Sequence, residues 1–195
     1  MKKMVWTLGL LAILISCGEK KKQEQPKEAF ISAVSFIRSQ VTQVDTSLYS
    51  IMKLVYRDSV YVDTEYIKRE DFAANASDFL DLPDIADKKN APDYLEEKFV
   101  DETLNRVIFT YRPKDPEKAL IQRQELVVLA DLTGGESKVR NIIIETSSTN
   151  RDSSVQKKLL WQVDKSFQVT RIIQKNAQPE TTYTFKVTWN EDKEE

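Results

Sequence analysis

A chain of 195 residues with 41% apolar content and a formal net charge of −2 has the length of one domain and enough apolar material to build its core. No basic stripe stands clear of neighbouring acids, which argues against nucleic-acid binding. There is no histidine, one cysteine and four glycines, so histidine-based triads, histidine-ligated zinc and glycine-rich phosphate loops cannot form.

Lys2 and Lys3 precede an uncharged run from Met4 to Ile15. That run is too short for a permanent bilayer span and has the length of the apolar part of a signal peptide. Ser16 stands directly before Cys17, with Leu14 two positions upstream of the serine. Leu14-Ile15-Ser16-Cys17 resembles the lipobox of bacterial lipoprotein precursors; an ordinary cleaved secretory signal shares the same basic and apolar regions. The resemblance implies that residues 1–16 are removed and that Cys17 becomes a lipidated N-terminus, anchored in a membrane by several acyl chains. Gly18 stands where the family's inner-membrane retention signal places Asp, so the resemblance implies delivery to the outer membrane, with periplasmic and surface orientations both open. Lipidation would also consume the sole thiol, leaving no cysteine for nucleophilic chemistry or cluster ligation.

Residues 17–28 hold the lipidated cysteine and a polar, Lys- and Glu-rich stretch that reads as a flexible tether, reaching at most about 36 Å when extended. The globular domain is expected over 29–190, with a charged tail at 191–195. Phe30, Val34, Ile37, Val41, Val44, Leu48, Ile51 and Val55 recur at steps of four and three, a pattern that predicts one helical stripe. Phe36, Tyr49, Met52 and Leu54 occupy the opposite face in place of the charges a coiled coil would carry, so packing on a sheet is favoured. Asp45-Thr46-Ser47 is poor helix material and offers a point where that helix splits. Val60 and Val62 alternate in an extended segment. A second, shorter helix is expected from about Arg69 to Leu80, with Glu70 and Asp71 at its positive end and Pro83 beyond its exit. Asp78, Asp81, Asp84 and Asp87 recur every three residues there, yet the glycine and bidentate glutamate of a calcium loop are missing, so a solvated acidic turn is expected.

After Pro92 the pattern becomes strands: Leu104–Arg112, Ala119–Ala130 ending at a Gly134-Gly135 turn, Lys138–Thr146, Val155–Val163, Phe167–Lys175 and Thr181–Trp189. None is followed by a helix, so the sheet should be antiparallel. An odd-length loop, Asp164-Lys165-Ser166, would put Trp161 and Phe167 on one face, and a five-residue loop, Asn176–Glu180, would set Arg171 opposite Phe185.

Two S-x-x-K strings, Ser154–Lys157 and Ser50–Lys53, match the nucleophile motif of penicillin-binding enzymes but lack its partner motifs. No pair of acids stands out as a hydrolase pair; Glu125 and Glu145 lie in strands where they would meet across the sheet, but charges in antiparallel strands more often form a wet face, which is the favoured reading. Arg171 is the residue singled out as a ligand-binding candidate, because alternation puts it on the apolar face among Tyr183, Phe185, Trp161 and Phe167. There a guanidinium would hold a carboxylate or headgroup, or alternatively pair with an acid from the helix.

The expectation is therefore an α+β domain, with one long and one short N-terminal helix packed on a roughly six-stranded antiparallel meander sheet. The expected function is a non-catalytic, membrane-anchored envelope lipoprotein that binds an envelope protein or a small apolar ligand, with no catalytic residues, metal or cofactor. The alternatives are a carrier or sensor with a cavity between helix and sheet, and a carboxylate-based hydrolase.

Overall fold

The computed structural model describes residues 30–48, 50–130 and 136–190. The signal segment, Cys17, the tether, Tyr49, the Gly134-Gly135 turn and the tail at 191–195 lie outside those residues.

Helix α1 spans Ala33–Asp45. Its start is capped by Ser32, whose hydroxyl accepts from the Ser35 amide at 3.0 Å and donates to Asp84, tying the helix to the loop after the short helices. Val34, Ile37, Val41 and Val44 are buried as the stripe predicts. The helix then stops, because the Thr46 and Ser47 hydroxyls donate to the Gln43 and Val44 carbonyls and satisfy its last turn. Leu48, next on the expected stripe, is 95% exposed. Ile51 and Val55 are buried, but Val55 lies in strand β1 (Met52–Arg57). One long helix is thus corrected to a short helix followed by a strand.

A two-residue turn joins β1 to β2 (Val60–Tyr66). Asp58 and Ser59 both take positive φ, 48° and 67°, the geometry that matches strand twist in a tight hairpin. Asp58 is held by the Thr182 backbone, donating its amide to that carbonyl and accepting from that amide, each at 2.8 Å.

The second helix is three short pieces: a 3-10 turn at Arg69–Asp71, α2 (Phe72–Asn75) and α3 (Ser77–Leu80), interrupted at Ala76. Phe72, Ala76 and Phe79 are fully buried and Leu80 partly so, so the broken helix still presents one apolar face to the core. The strands that follow are β3 (Tyr94–Asp101), β4 (Arg106–Pro113), β5 (Ile121–Leu129), β6 (Lys138–Thr149), β7 (Ser153–Gln162), β8 (Ser166–Lys175) and β9 (Thr181–Thr188).

All nine strands form one antiparallel sheet in the order β2-β1-β9-β8-β7-β6-β5-β4-β3. This overturns the expected α+β balance: the described chain is mostly a nine-stranded sheet, and its helices are small. Six strands match those expected; β1 was hidden in the helical stripe, β2 had been read only as extended, and β3 was missed. Since β2 and β3 occupy opposite edges, residues 67–93 must cross the whole sheet. That crossing carries α2 and α3 over one face, here called the inner face, where α1 joins them in a single buried cluster with Leu126, Ile142, Leu159, Trp161, Phe167 and Phe185.

Register differs from expectation at both hairpins of β8. Arg171 pairs with Tyr183, not Phe185, and Ile173 with Thr181. Pro179 has no amide to donate, and the chain already turns at Lys175–Gln178 through a 3.2 Å backbone bond, so the ladder begins only at Thr181. The β7–β8 loop is odd-length as expected but lies one residue earlier, at 163–165 in place of 164–166, so Trp161 pairs with Phe167 and the two still share a face.

Candidate functional site

The aromatic set singled out from the sequence forms the centre of the core. Trp161 and Phe167 are completely buried and stacked, with centroids 5.1 Å apart and planes at 8°. Phe72 and Phe79, delivered by the crossing segment, meet the Phe167 ring edge-on at 5.7 and 5.6 Å. Phe185 lies against Phe167 at 6.2 Å and carries the Lys53 ammonium 5.0 Å over its own ring. Tyr183, half-buried, is the outermost member, 6.2 Å from Phe185. These rings fill the space between helices and sheet with one another's edges and faces, which gives them a packing role.

Arg171 lies at the rim of that cluster, its side chain 39% exposed. Its Nη2 donates to Asp78 Oδ2 at 2.5 Å, while Lys157 donates to Asp78 Oδ1 at 2.7 Å. Asp78 comes from α3, and its side chain is only 6% exposed, which removes it from the solvated acidic turn expected there, whereas Asp81 and Asp87 are exposed. Burial pushes its carboxyl pKa up, but hydrogen bonds and positive charge from Lys157 and Arg171 outweigh that, leaving it below the usual carboxylate value. Asp84, in the same acidic series, instead accepts from the Ala86 amide at 3.0 Å and from Ser32. The acids that recur in sequence are thus separated in space, and among the described residues no three potential ligands converge as a metal site.

The remaining catalytic patterns fare differently. Ser154 and Lys157 lie three positions apart on one strand and so point to opposite faces, and Lys157 is engaged by Asp78. Glu125 and Glu145 do meet on the outer face, where Arg123 bridges them at 2.5 and 3.4 Å. The Arg123 side chain draws both carboxylates into a salt-bridge cluster, and its hydrogen bond to Glu125, together with the charge of both carboxylates, raises its own pKa.

A concavity that the sequence reading missed lies where α1 meets the sheet. Phe36, Leu129, Val139 and Val163 supply apolar walls, and Ser137, Lys138, Arg140, Asp164 and Lys165 complete a cleft of about 480 Å³. Two local features build it. The pairing of β5 with β6 skips from Val127–Asn141 to Val128–Val139, leaving Arg140 as the extra residue of a β-bulge, a device that re-aims side chains. Opposite, Asp164 takes φ 60° in the β7–β8 turn, and its amide donates to Gln40 of α1 at 3.1 Å. Lys138, Arg140 and Lys165 outnumber the single acid, Asp164, so the lining combines apolar side chains with net positive charge, Arg140 and Asp164 each already having a partner. The alternating Lys138-Val139-Arg140 string was the available signal, but the bulge that brings these neighbours together depends on the partner strand.

A smaller cleft of about 370 Å³ sits at the end of the crossing segment, between Pro83, Ile85, Tyr94, Pro113 and Leu120, and is bordered by Lys114, Asp115 and Lys118. Two of its rim cations have internal partners: Lys114 donates to the Pro92 carbonyl at 2.5 Å, and Lys118 pairs with Asp115 at 2.7 Å. Comparison with known proteins finds no matching family model, no matching curated protein and no matching solved structure.

Proposed function

We propose that this protein is a membrane-anchored envelope lipoprotein whose domain is a non-catalytic binding module, with the cleft between α1 and the β7–β8 turn as its ligand site. The observation that carries the binding role is the combination of Phe36, Leu129, Val139 and Val163 as an apolar floor with Lys138, Arg140 and Lys165 around it. A volume of about 480 Å³ falls in the range of small-molecule sites. An apolar floor with a cationic rim suits an amphipathic anion: a short acyl chain ending in a carboxylate, or an acidic, apolar segment of an envelope protein. The anchoring role rests on Lys2-Lys3, the apolar run and Leu14-Ile15-Ser16-Cys17.

Binding is tested with a medium-chain fatty acid and the alcohol of equal length, titrated into the full-length protein by calorimetry. The acid should bind at least tenfold more tightly than the alcohol, and Lys138→Glu with Lys165→Glu should abolish that preference while leaving the fold intact by circular dichroism. Equal affinity for acid and alcohol, or a charge reversal without effect, sinks the assignment. For the anchor, Cys17→Ser should release the protein from membranes and remove acyl label.

A further inference from the structure

Strand β3 forms one edge of the sheet, and no described strand pairs with its outer side. An open edge presents a row of backbone donors and acceptors, which natural proteins usually blunt. Here Leu95, Phe99 and Val100 are all more than half exposed on it. We infer that β3 pairs with β3 of a second copy of this chain, antiparallel and centred on Glu97, to give a two-fold dimer with one continuous sheet.

Register and charge carry this inference. In an antiparallel pair, directly opposite residues project to the same face. A two-fold axis through Glu97 therefore sets Glu96 opposite Lys98 twice, and Leu95 opposite Phe99 twice. Within the chain, Glu96 and Lys98 lie across β4 from Tyr111 and Phe109, on the inner side, whereas Leu95 and Phe99 lie across from Arg112 and Ile108, on the outer side. The junction therefore places two opposite-charge pairs on the inner face and, on the outer face, two apolar pairs flanking Glu97 and its copy. The one like-charge contact, Glu97 with its copy, is offset because Arg112 already pairs with Glu97 in each chain. Moving the axis by one residue would set Lys98 against Lys98 and Glu97 against Phe99; moving it by two would set Glu97 against Asp101. Such a seven-residue junction would form about six to eight backbone hydrogen bonds, depending on which pairs carry them.

The opposite edge, β2, lacks this self-complementarity. Its charges are Asp63 and Glu65, with no cation on the strand, so a two-fold through Asp63 sets acid against acid and Tyr61 against Glu65. A closed dimer through β3 uses one edge only and is isologous, while a β2–β3 contact would propagate without closing.

Sedimentation of the full-length protein in detergent should show a reversible dimer. Glu96→Lys or Lys98→Glu alone should weaken dimerisation at least tenfold, and the double exchange should restore it to within about threefold, because only the double exchange recreates opposite charges. Orthogonally, a Glu97→Cys chain that also carries Cys17→Ser should form an interchain disulfide on mild oxidation. Directly opposite Cα atoms lie about 4.5–5.5 Å apart in antiparallel pairs, within disulfide reach. Asp63→Cys in the same background should not crosslink. A wild-type protein that stays monomeric up to about 100 μM, far above the micromolar range of specific interfaces, overturns the inference. So does a double exchange that fails to rescue, or a crosslink at position 63 in place of 97.

Discussion

The middle and the β3 end of the sheet use the same antiparallel pairing to different ends. Across β7, β8 and β9, the inner residues Leu159, Trp161, Phe167, Val169, Phe185 and Val187 are buried beneath the crossing segment, and Phe72 and Phe79 interlock with them. At β3, every residue from Leu95 to Val100 is exposed although the strand is fully paired with β4. Backbone pairing alone therefore does not make an interior. What distinguishes the regions is the helical cover, and residues 67–93 lay that cover over the central strands.

The largest expected effect separates these regions directly. Trp161→Ala removes a fully buried ring that touches Phe72, Phe79, Phe167 and Trp189, and should cost about 3–5 kcal/mol in urea unfolding. Phe99→Ala, at a site 62% exposed, should change stability by less than about 0.5 kcal/mol in dilute solution. Comparable losses at both positions would mean that the β3 end is covered after all.

Asp78→Asn tests whether the rim of the central region depends on charge. It should cost about 1–3 kcal/mol at neutral pH, an amount tempered by the partial exposure of both cations. Because the folded pKa of Asp78 lies below its unfolded value near 3.8, its contribution is present above about pH 4 and is lost as pH falls through the folded value. The variant should therefore lose less stability than wild type on acidification below pH 4, as followed by thermal melts. A wild-type acid limb retained unchanged in Asp78→Asn would remove Asp78 from this role.

A smaller effect concerns the β8–β9 turn, which sets where Arg171 falls. Ala177 takes φ 57°, a left-handed conformation that costs a Cβ-bearing residue more than glycine. Ala177→Gly should raise stability by about 0.5 kcal/mol, visible as a higher melting temperature, after allowing for the greater freedom of glycine in the unfolded chain. Destabilisation would mean that the turn relaxes differently when the Cβ is removed.

Much of the central region was legible because its residues alternate cleanly. Thr181 to Trp189 reads as a strand without reference to its neighbours, and placing Trp161 and Phe167 on one face needs only the parity of the connecting loop. Helix α1, the first half of the expected long helix, was legible for the analogous reason, a 3.6-residue period ending in hydroxyl side chains. The same stripe misled beyond Val44, since Ile51 and Val55 satisfy a helical spacing and a strand equally well, and only pairing with β9 chooses between them. Strand β3 escaped notice because Glu96, Glu97 and Lys98 erase the apolar alternation, as befits an edge with water on both faces. Of the candidate residues, Arg171 was placed on the correct face, but its partner Asp78 arrives from the far side of a crossing connection. Of the cleft beside α1 only the Lys138-Val139-Arg140 string is visible in the sequence, since a bulge at Arg140 is a property of two strands and not of one.

By itself, the sequence determined which segments have one apolar face, which turns punctuate them, and that no histidine chemistry is available. Those properties are local: they depend on composition, period and chain stiffness within a few residues. The tertiary structure decided that β1 is a strand beside the last one, that residues 67–93 cross the sheet as a lid, that Arg171 and Lys157 share one buried carboxylate, and that a basic-rimmed cleft opens beside α1. Each of these is a pairing between distant segments. Its free energy comes from surface removed from water and charges brought within hydrogen-bond distance, neither of which exists until both segments are in place.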